Sequence, residues 1–278
     1  MNALRPASVR AAFAQAGLVP VDARALMCHV LGVDRAWLAA HDRDPLPAGP
    51  ADAFFALAKR RRDGEPIAYL VGRREFWGLE LDVNPSVLIP RPETETVVEV
   101  ALSRIEQGAP LHVLDLGTGS GAIALAIAHA RPNARMLATD QSEAALEVTR
   151  SNASRLKLHN VAFIRSDWYA GLPEQRFHVI ASNPPYVAAG DPHLRDGDLR
   201  FEPPSALTPG PDGLRALKAI VLGAPQRMEP GGSLIVEHGH DQSAAVLGLF
   251  ASAGLEAIVA VRDLAGMARV AAGRKPRA

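Results

Sequence analysis

The sequence predicts an α/β fold: a parallel sheet covered by helices on both faces, preceded by a small helical bundle and a linking β-hairpin. Three observations predict it. From residue 111 onward, short apolar runs alternate with helical stretches, the pattern of strands joined by helical crossovers. A glycine-rich loop at 115–121 directly follows the first of those runs. Before residue 63, by contrast, apolar residues recur at helical spacings of three and four.

The helical pattern runs from residue 7 to about residue 62. Its apolar positions are Val9, Phe13 and Leu18, then Ala25, Leu26, Val30 and Leu31, then Trp37 and Leu38, then Phe54, Phe55 and Leu57. Gly17, Gly32 and a proline cluster at 45–50 punctuate it. Helices this short bury little surface alone, so the bundle is expected to dock on a partner or carry one. Lys59, Arg60, Arg61 and Arg62 read either as a solvated last turn that complements the helix dipole or as a contact for RNA or an acidic protein surface. Phe76, Leu79, Leu81 and Val83 flank Gly78, which predicts a hairpin linking the two parts.

The expected division is a bundle at 1–72, a hairpin linker at 73–90 and an α/β domain at 91–278. Pro90 and Pro92 force an extended segment at the start of that domain, and Thr94 or Thr96 with their acidic neighbours can open a helix reaching about Glu106. Strands are expected at 111–116, 135–139, 161–164, 177–182 and 233–237, and two late apolar runs, 255–261 and 268–271, close the chain.

Composition narrows the function. The formal net charge of the 278 residues is zero, which argues against an affinity built mainly on neutralising phosphates. One cysteine, Cys28, excludes an internal disulfide and a multi-cysteine zinc site, and suits a reducing compartment. His238 and His240 lack a third ligand at useful spacing, so no metal is expected and a structural role at a strand end is. No run approaches the ~20 apolar residues of a membrane span. The first twenty residues, rich in Ala and Arg without acidic residues, loosely resemble a transit peptide, but a bundle helix explains them equally well. A cytoplasmic protein is expected.

The loop that follows the first strand is Asp115, Leu116, Gly117, Thr118, Gly119, Ser120, Gly121. Glycines there allow a tight turn and let a ligand approach the backbone. Gly117, Gly119 and Ala122 also satisfy the dinucleotide fingerprint, so the glycines alone leave both a nicotinamide cofactor and S-adenosylmethionine open. Asp140, at the end of the second strand, is placed to accept from ribose hydroxyls, or else to cap the helix before Ser142. Asp167 and Trp168 follow the third strand, where a carboxylate can accept the adenine amino group while an indole covers the ring; a core aromatic is the alternative for Trp168.

What discriminates is Asn183, Pro184, Pro185 and Tyr186 directly after the fourth strand. Two prolines end the strand and stiffen the turn, so the Asn side chain, backbone carbonyls and the Tyr ring project from a fixed strand end. The turn offers acceptors and a flat aromatic face, but no nucleophile. It suits a planar group bearing NH2. No dehydrogenase chemistry needs that tetrapeptide there, whereas methyl transfer to nitrogen does.

With that combination the chain resembles the class I S-adenosylmethionine-dependent methyltransferases acting on amide or exocyclic nitrogen. More narrowly, it resembles the HemK-type peptide chain release factor glutamine methyltransferases. The narrower resemblance rests on residues 69–72, 75–79, 87–95 and 183–186, together with Glu202-Pro203-Pro204-Ser205-Ala206-Leu207 and Glu237-His238-Gly239. It implies a Rossmann-like domain with a mostly parallel seven-stranded sheet and S-adenosyl-L-methionine as methyl donor. The implied substrate is the glutamine of the Gly-Gly-Gln motif in class-1 release factors, methylated on its side-chain nitrogen, with the helical bundle recognising that protein.

On this reading Gly117, Thr118, Gly119, Ser120, Gly121, Asp140, Asp167, Trp168 and Asn183 bind the cofactor. Asn183, Pro184, Pro185 and Tyr186 hold the substrate, with Asn183 and Pro184 orienting the amide and Tyr186 packing on it. Glu93 and Thr94 are expected either near the cofactor's methionine end or as helix caps. The competing reading is a nucleic-acid amino-methyltransferase that flips a base into the same turn. Arg60–Arg62 and a basic tail at 274–277 support it, and zero net charge opposes it; neither a stable nucleic-acid partner nor a membrane is expected.

Overall fold

The computed structural model describes residues 8–195 and 197–277. Residues 1–7, where the transit-peptide-like composition and the first helical stretch begin, lie outside the described residues. Packing divides the chain into two compact units, one running up to Arg73 with a short segment ending at Phe201, the other taking in Arg74–Arg195 and the chain from Glu202 onward.

Among the described residues the first unit holds five α-helices: α1 (Val9–Ala16), α2 (Pro20–Leu31), α3 (Arg35–Ala40), α4 (Ala48–Arg62) and α5 (Ile67–Val71). Their ends are written in the sequence. The Ser8 hydroxyl accepts from Ala11 N–H at the start of α1, Pro20 stands in the first turn of α2, and Asp34 accepts from Trp37 N–H at the start of α3. Leu26, Met27 and Phe54 are fully buried where these helices meet, and Phe13 meets Phe54 edge-on at 6.1 Å. Helix α5 lies beyond the expected helical stretch; at five residues it is too short to show a period.

All four residues of the basic run are engaged inside this unit. Lys59 pairs with Asp63 at 2.7 Å and Arg60 with Glu65 at 2.7 Å, Arg61 reaches Asp22 at 2.7 Å and Asp198 at 2.8 Å, and Arg62 donates to the Ala16 carbonyl at 2.5 Å. That favours the structural reading of the run over an RNA contact.

The second unit opens with the hairpin strands β1 (Arg73–Phe76) and β2 (Leu79–Asp82). Phe76, Leu79 and Leu81 sit in the same core as the helices α6 (Glu95–Leu102) and α7 (Ala122–Ala130). The hairpin therefore packs as part of this unit, and the unit begins at Arg74, well before the expected boundary at 90/91.

Seven further strands form one sheet: β3 (His112–Leu116), β4 (Arg135–Asp140), β5 (Val161–Arg165), β6 (Phe177–Ser182), β7 (Met228–Glu237), β8 (Glu256–Arg262) and β9 (Ala268–Arg274). Their order is β5-β4-β3-β6-β7-β9-β8, parallel except for β9, which runs antiparallel to both neighbours. Strand β7 starts five residues earlier than expected, because Pro230, Gly231 and Gly232 are absorbed where its register against β6 shifts between Phe177 and Val179.

Period two sends alternate residues of β3 to opposite faces. Val113 joins Val97 and Val98 of α6 and Ile127 of α7, while Leu114 and Leu116 join the core formed with α10 (Arg215–Arg227) and α11 (Ser243–Ser252), where Leu217, Ile220 and Phe250 are buried. Each such side chain contributes roughly 1.5–3 kcal/mol by leaving water, so a sheet covered on both faces is held rigidly. Helices α8 (Glu143–Arg155) and α9 (Pro204–Leu207) complete the unit. From α8, the buried Asn152 donates to the carbonyls of Asp82 and Ser120, both at 3.0 Å, tying hairpin and glycine loop together.

The chain enters this sheet at β3, builds outward through β4 and β5, then returns to lay β6 on the other side of β3. The carboxyl ends of β3 and β6 thus flank the point where the winding reverses, the place where open α/β sheets leave a crevice.

Candidate active site

Leu116 and Ser182, the last residues of β3 and β6, are paired in register, and the Ser182 hydroxyl donates to the Leu116 carbonyl at 2.7 Å. The glycine loop and the Asn-Pro-Pro-Tyr turn therefore leave the sheet side by side. Between them opens a cavity of about 950 Å³, counting its mouth. Gly117, Thr118, Gly119, Ser120, Asp140, Asp167, Trp168, Asn183 and Pro185 all line it. Gly121, Pro184 and Tyr186, also expected in the site, are not among the lining residues.

The loop is fixed by backbone. The Thr139 carbonyl accepts from both Gly117 and Thr118 N–H at 2.8 Å, and beneath the loop Asp115 accepts from the Thr118 hydroxyl at 2.7 Å and from Ala124 N–H at 3.2 Å. Burial pushes the Asp115 carboxyl up to about 7. Gly121 is required for packing: at φ 88° a Cβ there would stand 2.7 Å from Thr149 Cγ2. At Gly119, with φ 56°, an added Cβ would meet no atom within 4 Å, so the loop leaves open space on the cavity wall.

Asp140 is bonded on the loop side and lies on the cavity wall, and it does not itself cap the helix. Its Oδ1 accepts from Ser142 N–H at 2.9 Å and its Oδ2 from Gly119 N–H at 3.0 Å, while the carboxylate stays on the cavity wall, its pKa raised by burial. These bonds still leave a lone pair for a further donor. The helix cap itself is the Ser142 hydroxyl, which accepts from Ala145 N–H at 3.2 Å. Trp168 packs against the core and also lines the cavity. It sits at φ 48°, a region costly for an aromatic residue, and is held there by the Ser166 hydroxyl, which donates to its carbonyl at 2.7 Å.

These residues suit S-adenosylmethionine: open space at Gly119, a carboxylate with a spare lone pair at Asp140, and an aromatic wall at Trp168 beside Asp167. Among the described residues no three His, Cys, Asp or Glu side chains gather as a metal site. His238 is buried, and its Nδ1 lies 2.8 Å from the Gly239 carbonyl.

At the turn, Asn183 Nδ2 donates to the Thr94 hydroxyl oxygen at 3.0 Å, and Oδ1 accepts nothing among the described residues. The amide thus presents an acceptor as its free end. Pro184 is buried, and its carbonyl accepts no hydrogen bond among the described residues. The half-buried Tyr186 donates its hydroxyl to Glu237 Oε1 at 3.0 Å and accepts at its carbonyl from Gln242 Nε2 at 2.9 Å.

Sequence reasoning placed Thr94 either near the cofactor or at a helix cap but did not show how the site is supported. Thr94 makes no helix-capping bond with its side chain and instead lines the cavity and holds Asn183, while Glu93 is not among the lining residues. Arg91 and Ile89 N–H both bond the buried Glu202 carboxylate, locking the segment at 87–94 to the segment that starts at Glu202; both segments line the cavity. Each residue belongs to a motif visible in the sequence, but which one meets which across more than a hundred positions is set by the topology.

The fold and the site together define a class I methyltransferase. A solved methyltransferase from Pyrococcus furiosus shares this fold, with a TM-score of 0.54 at 21% identity over 78% of this chain and 97% of that one. The sequence matches the profile of the PrmC N-terminal domain at residues 3–72 and that of the methyltransferase small domain at 94–195. It is 54% identical to the release factor glutamine methyltransferase of Xylella fastidiosa (strain 9a5c) over 92% of this chain and 93% of that protein. It is 50% identical to the enzyme of the same name from Burkholderia pseudomallei over 99% of this chain and 100% of that protein. The chain belongs to the release factor glutamine methyltransferase family.

Proposed function

We propose that this chain transfers a methyl group from S-adenosyl-L-methionine to the side-chain amide nitrogen of the glutamine in the Gly-Gly-Gln motif of class-1 release factors. The observation that carries the reading is the orientation of Asn183. A side chain at the mouth of a glycine-lined cavity, its amino end tied to Thr94 and its oxygen free, is built to receive an N–H.

S-Adenosylmethionine supplies an electrophilic methyl group on a positively charged sulfur. The chain's own task is positioning, because an amide nitrogen has a delocalised lone pair and protons too weakly acidic for a neighbouring base to remove. Asn183 Oδ1 accepts one amide hydrogen and the Pro184 carbonyl the other, which fixes the nitrogen and stabilises the positive charge it gains as the N–CH3 bond forms and the S–CH3 bond breaks, with S-adenosylhomocysteine as the leaving group; the nitrogen, now acidic, loses one proton to solvent as product is released. Tyr186 covers the planar amide and helps exclude water. Gly117, Thr118, Gly119, Ser120, Gly121, Asp140, Asp167 and Trp168 shape and line the cofactor side. The helical bundle recognises the release factor, and the reaction takes place in the cytoplasm; among the described residues no helix is long and apolar enough to cross a membrane.

Incubation with methyl-labelled donor and either release factor or nucleic acid tests this. Label is expected in the release factor. Label confined to DNA or RNA would replace the reading with the base-modifying one.

A further inference from the structure

The Asn-Pro-Pro-Tyr turn has little backbone hydrogen bonding of its own to hold it. Pro184 and Pro185 have no N–H to donate, and a proline ring fixes φ while leaving ψ free. The Pro184 carbonyl, the second acceptor of the proposed reaction, points where that ψ sends it. Its direction therefore depends on what anchors the backbone just beyond. Two bonds do so: Val187 N–H donates to the Leu207 carbonyl at 3.0 Å, and the Tyr186 carbonyl accepts from Gln242 Nε2 at 2.9 Å.

Gln242 is half-buried at the start of α11 and is not among the residues lining the cavity. Its side chain ties three segments together. Oε1 accepts from Gly239 N–H at 2.9 Å, just past β7, while Nε2 reaches the Tyr186 carbonyl and, at 3.5 Å, the carbonyl of Gly213, just before α10. The amide has only one way to do this. An N–H can only donate, so Gly239 takes the oxygen end and the amino end is left for the two carbonyls. The fit is close. At Gly213, with φ 66°, an added Cβ would stand 2.5 Å from the Tyr186 carbonyl oxygen and 2.8 Å from Gln242 Nε2.

We propose that Gln242 is a positioning residue for methyl transfer: by holding the Tyr186 carbonyl it sets where the Pro184 carbonyl points. This rests on the function proposed above. The two acceptors of the turn then have separate supports, Thr94 for Asn183 and Gln242 for Pro184.

Gln242→Glu is a titratable probe of that bond. It keeps an oxygen for Gly239, but when charged it sets a second oxygen against the carbonyls of Tyr186 and Gly213. When protonated it can donate to them as the amide does. Those carbonyls favour the protonated form, and so does Asp241, whose Oδ1 lies 3.1 Å from where a Cβ on Gly239 would stand. Asp212, beside Gly213, is paired with Lys218 at 2.9 Å.

The test is steady-state kinetics of the full chain on intact release factor, with donor affinity measured by calorimetry and folding checked by thermal melting. At about pH 8, Gln242→Glu is expected to lower kcat by about tenfold while donor affinity stays within about twofold, because only the turn is released. Its kcat relative to wild type at the same pH is expected to climb back as the pH falls toward about 5. Gln242→Met, which can neither donate nor titrate, is expected to lose similar turnover at every pH. Wild-type kcat in the folded variants, a Gln242→Glu to wild-type ratio that ignores pH, or donor affinity falling as far as kcat would each overturn the inference. A wild-type chain that leaves release factor unmodified would instead overturn the function on which it rests.

Discussion

The two loops that meet at the switch point solve opposite problems. After β3 the chain gives up side chains: Gly117, Gly119 and Gly121 all have positive φ, and the loop's shape comes from backbone bonds to Thr139 and Asp140. After β6 it gives up backbone freedom: two prolines stiffen the turn, and its side chains are held from below, Asn183 by Thr94 and Tyr186 by Glu237. A cofactor common to many reactions needs a shaped wall, whereas the group to be modified needs acceptors pointing one way. Damage to the first loop should therefore appear in donor binding, and damage to the second in turnover.

The largest effect expected from this contrast is at Asn183. Asn183→Ala should lower kcat by roughly 10²-fold or more while donor affinity falls far less, the loss expected when a transition-state acceptor is removed. Turnover near wild type would remove Asn183 from that role.

At the other loop, Gly119→Val forces a β-branched residue into the left-handed region at a cost of about 1–2 kcal/mol and adds bulk on the cavity wall, so donor affinity should fall by about tenfold. Calorimetry checks it, and a change in kcat at saturating donor with affinity unchanged would erase the distinction between the loops.

A third prediction concerns pH. The folded-state pKa values of Asp115 and Glu237 are raised to about 7, above the unfolded carboxylate values of about 4. Their contribution to stability is thus fully present below about pH 4 and is lost as pH rises through about 7. Thermal melts should show the melting temperature falling across that interval, and Asp115→Asn should flatten the fall. If stability instead rose toward pH 8 by the same measure, both carboxyls would be charged at little cost.

The smallest effect is expected far from the switch point. Arg61→Ala removes bonds to Asp22 and Asp198 and should destabilise the first unit by about 1 kcal/mol, read by denaturant unfolding. A loss of nucleic-acid binding without a loss of stability would revive the RNA reading of the basic run.

Local features of both loops were legible from the sequence because they are properties of adjacent residues. Alternating apolar runs marked five strands of the sheet, Pro184 and Pro185 marked where β6 ends, and the three glycines marked the turn after β3. What was illegible depends on distance along the chain. Thr94 with its acidic neighbours reads as a helix start, and only the packing of α6 against β6 brings Asn183 to it. Glu237 reads as the polar end of a strand, and Arg91 and Glu202 as unrelated charges. The hairpin reads as a linker because nothing local shows that Phe76 and Leu81 enter the same core as α6 and α7.

The most direct measurement is tandem mass spectrometry of release factor after incubation with this protein and S-adenosylmethionine. The expected result is one added methyl group on the peptide containing Gly-Gly-Gln, located on the glutamine side chain, and its absence when Asn183→Ala replaces the wild type. A methyl group on any other residue, or an unmodified peptide beside methylated nucleic acid, would contradict it.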